Sequence, residues 1–143
     1  MSLKFNEIIV PSDGNCLFYS MGYALDKNHN DLRIQVSEFI EKNKFLKFNE
    51  LTLEEWIKYD VGLTVNNYKN MILTNGQWGG NIELYILMKI YKINIFILKR
   101  DNGRYTMINS YVYDNNSRNI FLKYDGFHYN YLKVIENETK IKT

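Results

Sequence analysis

The chain has 143 residues, a length at which one domain buries roughly two thirds of its unfolded surface around a single core. Lys and Arg number 18 against 16 Asp and Glu, a net charge of +2 that disfavours nucleic-acid or membrane binding through a basic field. One cysteine excludes an internal disulfide, and with two histidines it excludes a structural zinc site of the usual spacing. A single domain is predicted over residues 1–135, followed by a polar C-terminal tail, 136–143.

The chain begins with a predicted strand that leads through a turn into a helix. Residues 5–10 form the strand, and Pro-Ser-Asp-Gly at 11–14 consists of turn-forming residues. Apolar residues recur at spacings of three and four from Cys16 to Leu25, which predicts a helix with one apolar face. Cys16 is therefore expected in the first turn of that helix.

Three more helices are predicted in the first half of the chain. Asn30 is expected to cap a helix over residues 31–42. Thr-Leu-Glu-Glu at 52–55 has the capping-box pattern and opens a short helix through Tyr59, while Thr64 caps another that reaches Ile72. His29 is expected on a solvated loop between the first two helices, without a catalytic role.

The second half predicts a central helix followed by strands. Trp-Gly-Gly-Asn at 78–81 turns the chain into a helix over residues 82–91, whose nearly continuous apolar surface indicates a central position. Strands are predicted over residues 93–98, 105–108, 120–124 and 128–135, with a hairpin turn at Asp125-Gly126. The expected fold class is α+β, with helices flanking a small mixed or antiparallel sheet that the first strand can join.

Cys16 has the surroundings that a nucleophilic thiol needs. Such a thiol requires a stabilised thiolate, an imidazole within reach and N–H donors for the oxyanion. The dipole at the predicted helix N-terminus favours the thiolate, and the Asp13-Gly14-Asn15 turn can direct successive N–H groups into one small space. Taken alone, these features also fit a buried packing cysteine after an ordinary turn, so both interpretations stay open.

His128 and Asn130 are candidates for the other two catalytic positions. His128 is expected at the start of the last strand, and Asn130 two residues later projects from the same face. The amide oxygen of Asn130 can fix the tautomer of the imidazole, as in Cys-His-Asn peptidases. A structural or exposed histidine is the competing interpretation.

Three blocks of sequence occur in an order that resembles the OTU (ovarian tumour) deubiquitinase family. The segment PSDGNCLFYSMGYAL at 11–25 is similar to the nucleophile signature of that family. QWGGNIELYILMKIYKINIFIL at 77–98 is similar to its second block, and FHYNYL at 127–132 to its third. The resemblance runs from about residue 5 to residue 132 and implies a papain-like OTU fold.

The resemblance gives a role to the residues of these blocks that would perform the chemistry. They are Cys16 as nucleophile, His128 as general base, Asn130 as the residue that orients the histidine, and Asp13 as the residue that shapes the oxyanion loop. Gly14 and Asn15 complete that loop, and the backbone N–H groups of residues 14–16 are the expected oxyanion donors. Many family members carry Asp where this chain has Asn130, and the neutral amide stabilises an imidazolium less.

Two further features of the second block are interpreted with the resemblance. Trp78 is expected in the core beneath the active site, and Trp78 and Gly79 are candidates for contact with the substrate. Glu83 belongs to the family pattern, but a first-turn carboxylate stabilised by the helix dipole explains it equally well.

The activity that the resemblance implies is hydrolysis of peptide or isopeptide bonds after the C-terminal glycine of ubiquitin or a ubiquitin-like modifier. It proceeds through a Cys16 thioester and needs no metal or other cofactor. The expected partner is ubiquitin or a polyubiquitin chain, and the protein is expected to be a monomer. Two alternatives remain: a catalytically silent OTU-like module that binds ubiquitin, and another cysteine acyl-transfer enzyme on a related fold.

The location of the protein is also an expectation from the sequence. Residues 1–10 lack a signal-peptide pattern, and the longest apolar runs, such as residues 84–88, are far too short to span a membrane. A cytoplasmic protein that binds neither nucleic acid nor membrane is expected. The frequent Asn, Lys, Ile and Tyr are typical of an AT-rich genome, which favours a virus, a parasite or an intracellular bacterium as the source. A viral protein or a secreted effector would act in the host cytoplasm.

Overall fold

The computed structural model describes residues 3–48 and 50–135. The predicted polar tail, 136–143, lies outside these described residues. Among the helices of the described ranges, none has both the length and the apolar character needed to cross a membrane.

Five helices lie in the described ranges, and each corresponds to a predicted one. Thr52 and Glu55 form the predicted capping box, and the hydroxyl of Thr64 accepts a hydrogen bond from the Asn67 N–H. Both caps are confirmed. The helices are α1 Cys16–Leu25, α2 His29–Asn43, α3 Leu53–Val61, α4 Val65–Leu73 and α5 Asn81–Tyr91.

Two sheets are present in the described part of the chain. The larger has five strands in the order β1-β7-β6-β4-β5, with β4 and β6 parallel and the other neighbours antiparallel. The smaller is a hairpin of β2 and β3 that the sequence did not predict, because strands of two residues show no alternation. The strands are β1 Lys4–Ile8, β2 Lys47–Phe48, β3 Leu51–Thr52, β4 Asn94–Asp101, β5 Arg104–Tyr111, β6 Asn119–Tyr124 and β7 Tyr129–Ile135.

The main core lies between the helices and one face of the large sheet. Helices α1 and α5 supply much of it, as their apolar periodicity predicts. The mixed α+β architecture is confirmed. Fully or almost fully buried members include Leu17, Phe18, Met21, Leu84, Leu87, Ile95, Ile120 and Leu122.

The register of the sheet brings polar residues together on its other face. Glu7 of β1 pairs with Leu132 of β7, and Lys123 of β6 pairs with Asn130 of β7. Directly paired residues project from the same face, and so do residues two apart along a strand. The side chains of Glu7, Lys123 and Asn130 therefore share one face at the end of β7 nearest α1.

The start of α2 differs from the prediction. Asn28 caps the helix by accepting a hydrogen bond from the Asn30 N–H at 2.8 Å, so Asn30 lies inside the first turn. His29 is consequently a helical residue rather than a loop residue, and its ring lies 4.2 Å from that of Tyr19. Asn28 and Asn30 are equally good caps by type, and the close packing of α2 against α1 selects the earlier one.

Candidate active site

Cys16 is the first residue of α1 and is 5% exposed. The Ser20 hydroxyl donates a hydrogen bond to the Tyr129 carbonyl at 3.1 Å, which joins α1 to the beginning of β7. Burial raises the pKa of the Tyr129 phenol, and its electrostatic interactions with Tyr124 and Tyr111 raise it further. The thiol thus lies at the start of α1, beside the strand that carries Asn130.

The turn before Cys16 is shaped by Asp13. Its carboxylate accepts a hydrogen bond from the Asn15 N–H at 2.9 Å, and its carbonyl accepts one from the Cys16 N–H at 3.3 Å. A Cβ on Gly14 would lie 1.5 Å from the Gly76 carbonyl oxygen, so a glycine is required by close approach of two backbone segments. Of the three predicted oxyanion donors, the Asn15 N–H is already bound to Asp13.

Arg33 of α2 is a buried cation, 1% exposed, that donates hydrogen bonds to the turn before Cys16. Its guanidinium lies 4.2 Å from the centre of the Phe18 ring. Because guanidinium donates in several fixed directions, it ties α2 to two loops at once. The acceptors are the Asn15 side-chain oxygen at 2.8 Å and the backbone carbonyls of Gly14, Ile72 and Gln77.

Asn15 is the N-cap residue of α1, yet its side chain turns away from that helix. The carboxamide oxygen accepts from Arg33 and from the Gly76 N–H at 2.8 Å. The usual capping interaction with the first-turn N–H groups is thereby given up. The positive end of the helix dipole is left facing Cys16, which favours a thiolate there.

Trp78 is 58% exposed, so its predicted place in the core is wrong. The neighbouring Gly79 occupies the contact with α1: a Cβ on it would lie 2.9 Å from the Phe18 ring and 3.4 Å from Leu17. Since the backbone itself packs against the helix there, the tryptophan side chain points outward. The direct contact of either residue with a substrate stays a prediction.

Glu83 in the first turn of α5 is 2% exposed. One carboxylate oxygen accepts a hydrogen bond from the Gly80 N–H at 2.7 Å, and the other accepts from the Tyr68 hydroxyl. Burial raises its pKa to about 7, against the opposing effect of these hydrogen bonds and of Arg33. The residue thus fixes the Trp-Gly-Gly turn as well as the start of α5.

His128 is held at the entrance to β7 by Asp125. The Asp125 carboxylate accepts hydrogen bonds from the N–H groups of Phe127 at 2.9 Å and His128 at 2.8 Å. These two bonds lower the pKa of Asp125. His128 precedes the strand by one residue, and its Nε2 lies 2.7 Å from the side-chain oxygen of Asn130.

Asn130, 5% exposed, makes further contacts that the sequence did not reveal. Its side-chain oxygen also accepts from the Val10 N–H at 3.1 Å, and its Nδ2 donates to Glu7 at 2.7 Å. Lys123 lies 2.6 Å from the same Glu7 oxygen. Glu7 and Lys123 reach Asn130 through strand register, a signal that composition and periodicity do not carry.

Arg33 is another residue of the site that the sequence analysis did not identify. Its position within the buried face of α2 is a weak local sign that it makes buried contacts.

The structure joins His128 to Asn130 and places Cys16 on the adjacent helix. Among the hydrogen bonds of the described residues, none links the Cys16 sulfur to the imidazole. Because Nε2 faces Asn130, Nδ1 is the ring nitrogen left for the thiol. Catalytic hydrogen bonds often tighten only when substrate is bound. The described residues contain no group of three or more His, Cys, Asp or Glu side chains placed to hold a metal ion.

Comparison with curated proteins identifies relatives along most of the chain. It is 33% identical over 129 residues to OVARIAN TUMOR DOMAIN-containing deubiquitinating enzyme 2 of Arabidopsis thaliana, covering 88% of this chain and 57% of the relative. It is 30% identical over 132 residues to ubiquitin thioesterase OTU1 of Saccharomyces cerevisiae, covering 91% of this chain and 40% of the relative. The chain therefore spans less than two thirds of the length of either protein.

Solved structures share the fold. The Hazara virus OTU bound to ubiquitin has a TM-score of 0.74 at 19% identity, covering 93% of this chain and 83% of that one. An OTU domain in complex with ubiquitin has a TM-score of 0.69 at 24% identity, covering 94% and 75%. The OTU fold expected from the three sequence blocks is confirmed. The model of the family described as OTU-like cysteine protease matches residues 11–133, and the chain belongs to that family.

Proposed function

We propose that residues 1–135 form one deubiquitinase domain, which hydrolyses peptide and isopeptide bonds after the C-terminal glycine of ubiquitin or a ubiquitin-like modifier. The observation that carries this proposal is the hydrogen bond of His128 Nε2 to Asn130, which leaves Nδ1 for the thiol at the start of α1. The names of the curated relatives, a deubiquitinating enzyme and a ubiquitin thioesterase, support ubiquitin as the substrate.

In the proposed mechanism Cys16 and His128 act as an acid–base pair. Nδ1 of His128 takes the thiol proton, and the thiolate attacks the carbonyl carbon of the C-terminal glycine. The imidazolium then gives its proton to the leaving lysine amine, which leaves a thioester on Cys16. His128 next removes a proton from water, and the hydroxide attacks the thioester. The C–S bond breaks, ubiquitin leaves with a free carboxyl group, and the imidazolium returns its proton to the Cys16 thiolate.

The oxyanion of each tetrahedral intermediate is proposed to lie at the Asp13-Gly14-Asn15 turn. The Asn15 N–H already donates to the Asp13 carboxylate, so its part is to hold the turn. The Gly14 and Cys16 N–H groups are the better donors, since the Cys16 N–H has only a long 3.3 Å contact to give up. Asp13 then acts by shaping the loop.

The partner is proposed to be ubiquitin or a polyubiquitin chain, bound by a monomer in the cytoplasm. Trp78 is proposed to contact the substrate, because its exposed ring lies beside Gly79, which packs on the first turn of α1. An exposed aromatic side chain on a loop that packs against the helix carrying Cys16 offers an apolar surface to an extended peptide tail.

The proposal is tested with ubiquitin that carries a fluorogenic amide on its C-terminal carboxyl group. The wild-type protein is expected to release the fluorophore, and Cys16→Ala is expected to release none. The two proteins are expected to have the same melting temperature, which shows that the variant is folded. Release that persists in Cys16→Ala would contradict the assignment of the nucleophile.

The same assay, together with measurements of ubiquitin binding and of ester hydrolysis, separates the two alternatives. A folded wild-type protein that binds ubiquitin but releases no fluorophore would be a silent binding module. One that hydrolyses small thiol-reactive esters, but neither binds nor cleaves ubiquitin, would be an acyl-transfer enzyme with another substrate. Either result would overturn the proposed function.

A further inference from the structure

The side chain of Asn130 has one orientation that satisfies all of its neighbours. Its oxygen faces the Val10 N–H at 3.1 Å, a group that can only donate. Its nitrogen faces a Glu7 carboxylate oxygen at 2.7 Å, a group that accepts when ionised. A flipped amide would set N–H against N–H and oxygen against oxygen, so Val10 and Glu7 together fix the oxygen toward His128.

This orientation determines which nitrogen of the imidazole carries the proton. Asn130 presents an acceptor to His128 Nε2 at 2.7 Å, so Nε2 must donate. In the neutral ring Nδ1 then keeps the lone pair that takes the thiol proton. An amide flipped to present its N–H would favour the other tautomer, in which Nδ1 is protonated and cannot act as a base.

Glu7 is itself held in place as a charged group. Lys123 of the neighbouring strand β6 lies 2.6 Å from it, and the Glu7 oxygen contacted by Lys123 is also the one that Asn130 binds. Burial acts to raise the pKa of Glu7, but hydrogen bonds from Lys123 and Asn130, with the charges of Lys123 and Arg100, lower it overall. The negative charge that Asn130 lacks is therefore present one hydrogen bond further from the imidazole.

We propose that Glu7 is a positioning residue that acts through Asn130, so that His128, Asn130 and Glu7 together replace a His-Asp pair. It sets the orientation of the amide, through it the tautomer of His128, and it supplies the charge that balances the imidazolium. This inference rests on the proposed function for its kinetic readout only. It also explains why an Asp at position 130 would be unfavourable in this chain: two carboxylates would lie in contact.

The test exchanges the amide and the carboxylate between positions 7 and 130. Asn130→Asp alone is expected to lower kcat by about tenfold or more, because its carboxylate meets that of Glu7. In the double variant Glu7→Gln/Asn130→Asp the glutamine can donate to the aspartate, which again accepts from Val10 and His128. The double variant is expected to recover at least about tenfold in kcat over Asn130→Asp, with little change in KM.

Asn6→Asp is the matched control, because it adds a carboxylate on the same strand but on the opposite face. It is expected to leave kcat within about twofold of the wild type. The single variant Glu7→Gln completes the set. If Glu7 only stabilises the fold, the losses of Glu7→Gln and Asn130→Asp multiply, and the double variant is the least active. That outcome would overturn the proposal.

A second readout does not depend on substrate. The chain has two histidines, so the ring ¹⁵N resonances of His128 can be assigned by their loss in His128→Ala. The wild type and Glu7→Gln are expected to show the tautomer protonated at Nε2, while Glu7→Leu is expected to show a mixture. An unchanged tautomer in a folded Glu7→Leu would refute the role of Glu7. If ubiquitin substrates are not cleaved at all, the proposed function fails, and the tautomer experiment still decides the inference.

Discussion

At the scale of single residues, the site depends on buried side chains that form hydrogen bonds in fixed directions. Asn130 uses its oxygen for His128 and Val10 and its nitrogen for Glu7. Arg33 uses one terminal nitrogen for the two loops around Cys16 and the other for the Ile72 carbonyl in the last turn of α4. Such groups set geometry through direction, since each would be costly to leave unpaired in a buried position.

The relative importance of His128 and Asn130 follows from their proposed roles as general base and orienting residue. His128→Ala removes the base and is expected to lower kcat by about a thousandfold or more, whereas Asn130→Ala leaves the base but frees its ring and is expected to cost about ten- to a hundredfold. Steady-state hydrolysis of the fluorogenic ubiquitin amide measures both. Equal losses in the two variants would contradict the assigned roles.

Arg33 is expected to matter for stability. Arg33→Met keeps much of the apolar stem but removes the donor to three carbonyls and one of the two donors to the Asn15 oxygen. We expect it to lower the free energy of unfolding by about 3 kcal/mol. Urea denaturation measures the loss, with the exposed Arg104→Met as control. Equal stability of the two variants would show that the guanidinium contributes nothing.

At the scale of elements, the helices were predictable and the contacts between strands were not. Capping residues and apolar spacing mark α3, α4 and α5 locally, and the turn at Gly14 marks the start of α1. The pairing of Glu7 beside Asn130 depends on register between strands more than a hundred residues apart, which local patterns cannot specify. Trp78 was misplaced for a related reason, because only the packed structure shows that Gly79 takes the buried position.

The contact between the Asp13-Gly14-Asn15 turn and the loop after α4 can be tested at Gly14. A Cβ on Gly14 would lie 1.5 Å from the Gly76 carbonyl oxygen, so Gly14→Ala must displace one of the two loops. We expect a loss of about 2 kcal/mol in stability and about a hundredfold in kcat/KM. Urea denaturation and fluorogenic hydrolysis measure these two effects.

Gly80→Ala provides the comparison, since a Cβ at that position meets no atom within 4 Å. It is expected to lose much less of both quantities. Similar losses in Gly14→Ala and Gly80→Ala would show that close approach of the loops is not what requires the glycine.

At the scale of the whole molecule, the stability of the fold depends on the protonation of Glu83, whose charged form is disfavoured by burial. The pKa of Glu83 is raised to about 7 in the folded protein from 4.5, so the folded state binds its proton more tightly than the unfolded state. Stability from this group is therefore greatest at low pH and falls as pH rises from about 4.5 to about 7. The carboxyls of Glu7 and Asp125, whose pKa values are lowered, act in the opposite direction.

Comparison with Glu83→Gln isolates this contribution, because the other groups are common to both proteins. The free energy of unfolding of the wild type minus that of the variant is expected to fall by on the order of 2–3 kcal/mol between about pH 4.5 and about pH 8. Urea denaturation at the two pH values measures the difference. A constant difference would show that Glu83 keeps the same protonation state when the protein unfolds.

The central claim is that Cys16, at the start of α1, is the nucleophile of an enzyme that recognises the C-terminus of ubiquitin. Its most direct test is the intact mass of the protein after incubation with ubiquitin whose C-terminal glycine is replaced by an electrophile. In the wild type we expect a mass increase of one ubiquitin that maps to Cys16, and in Cys16→Ala we expect none. A folded wild-type protein that gains no mass, or an adduct that forms equally in Cys16→Ala, would contradict it.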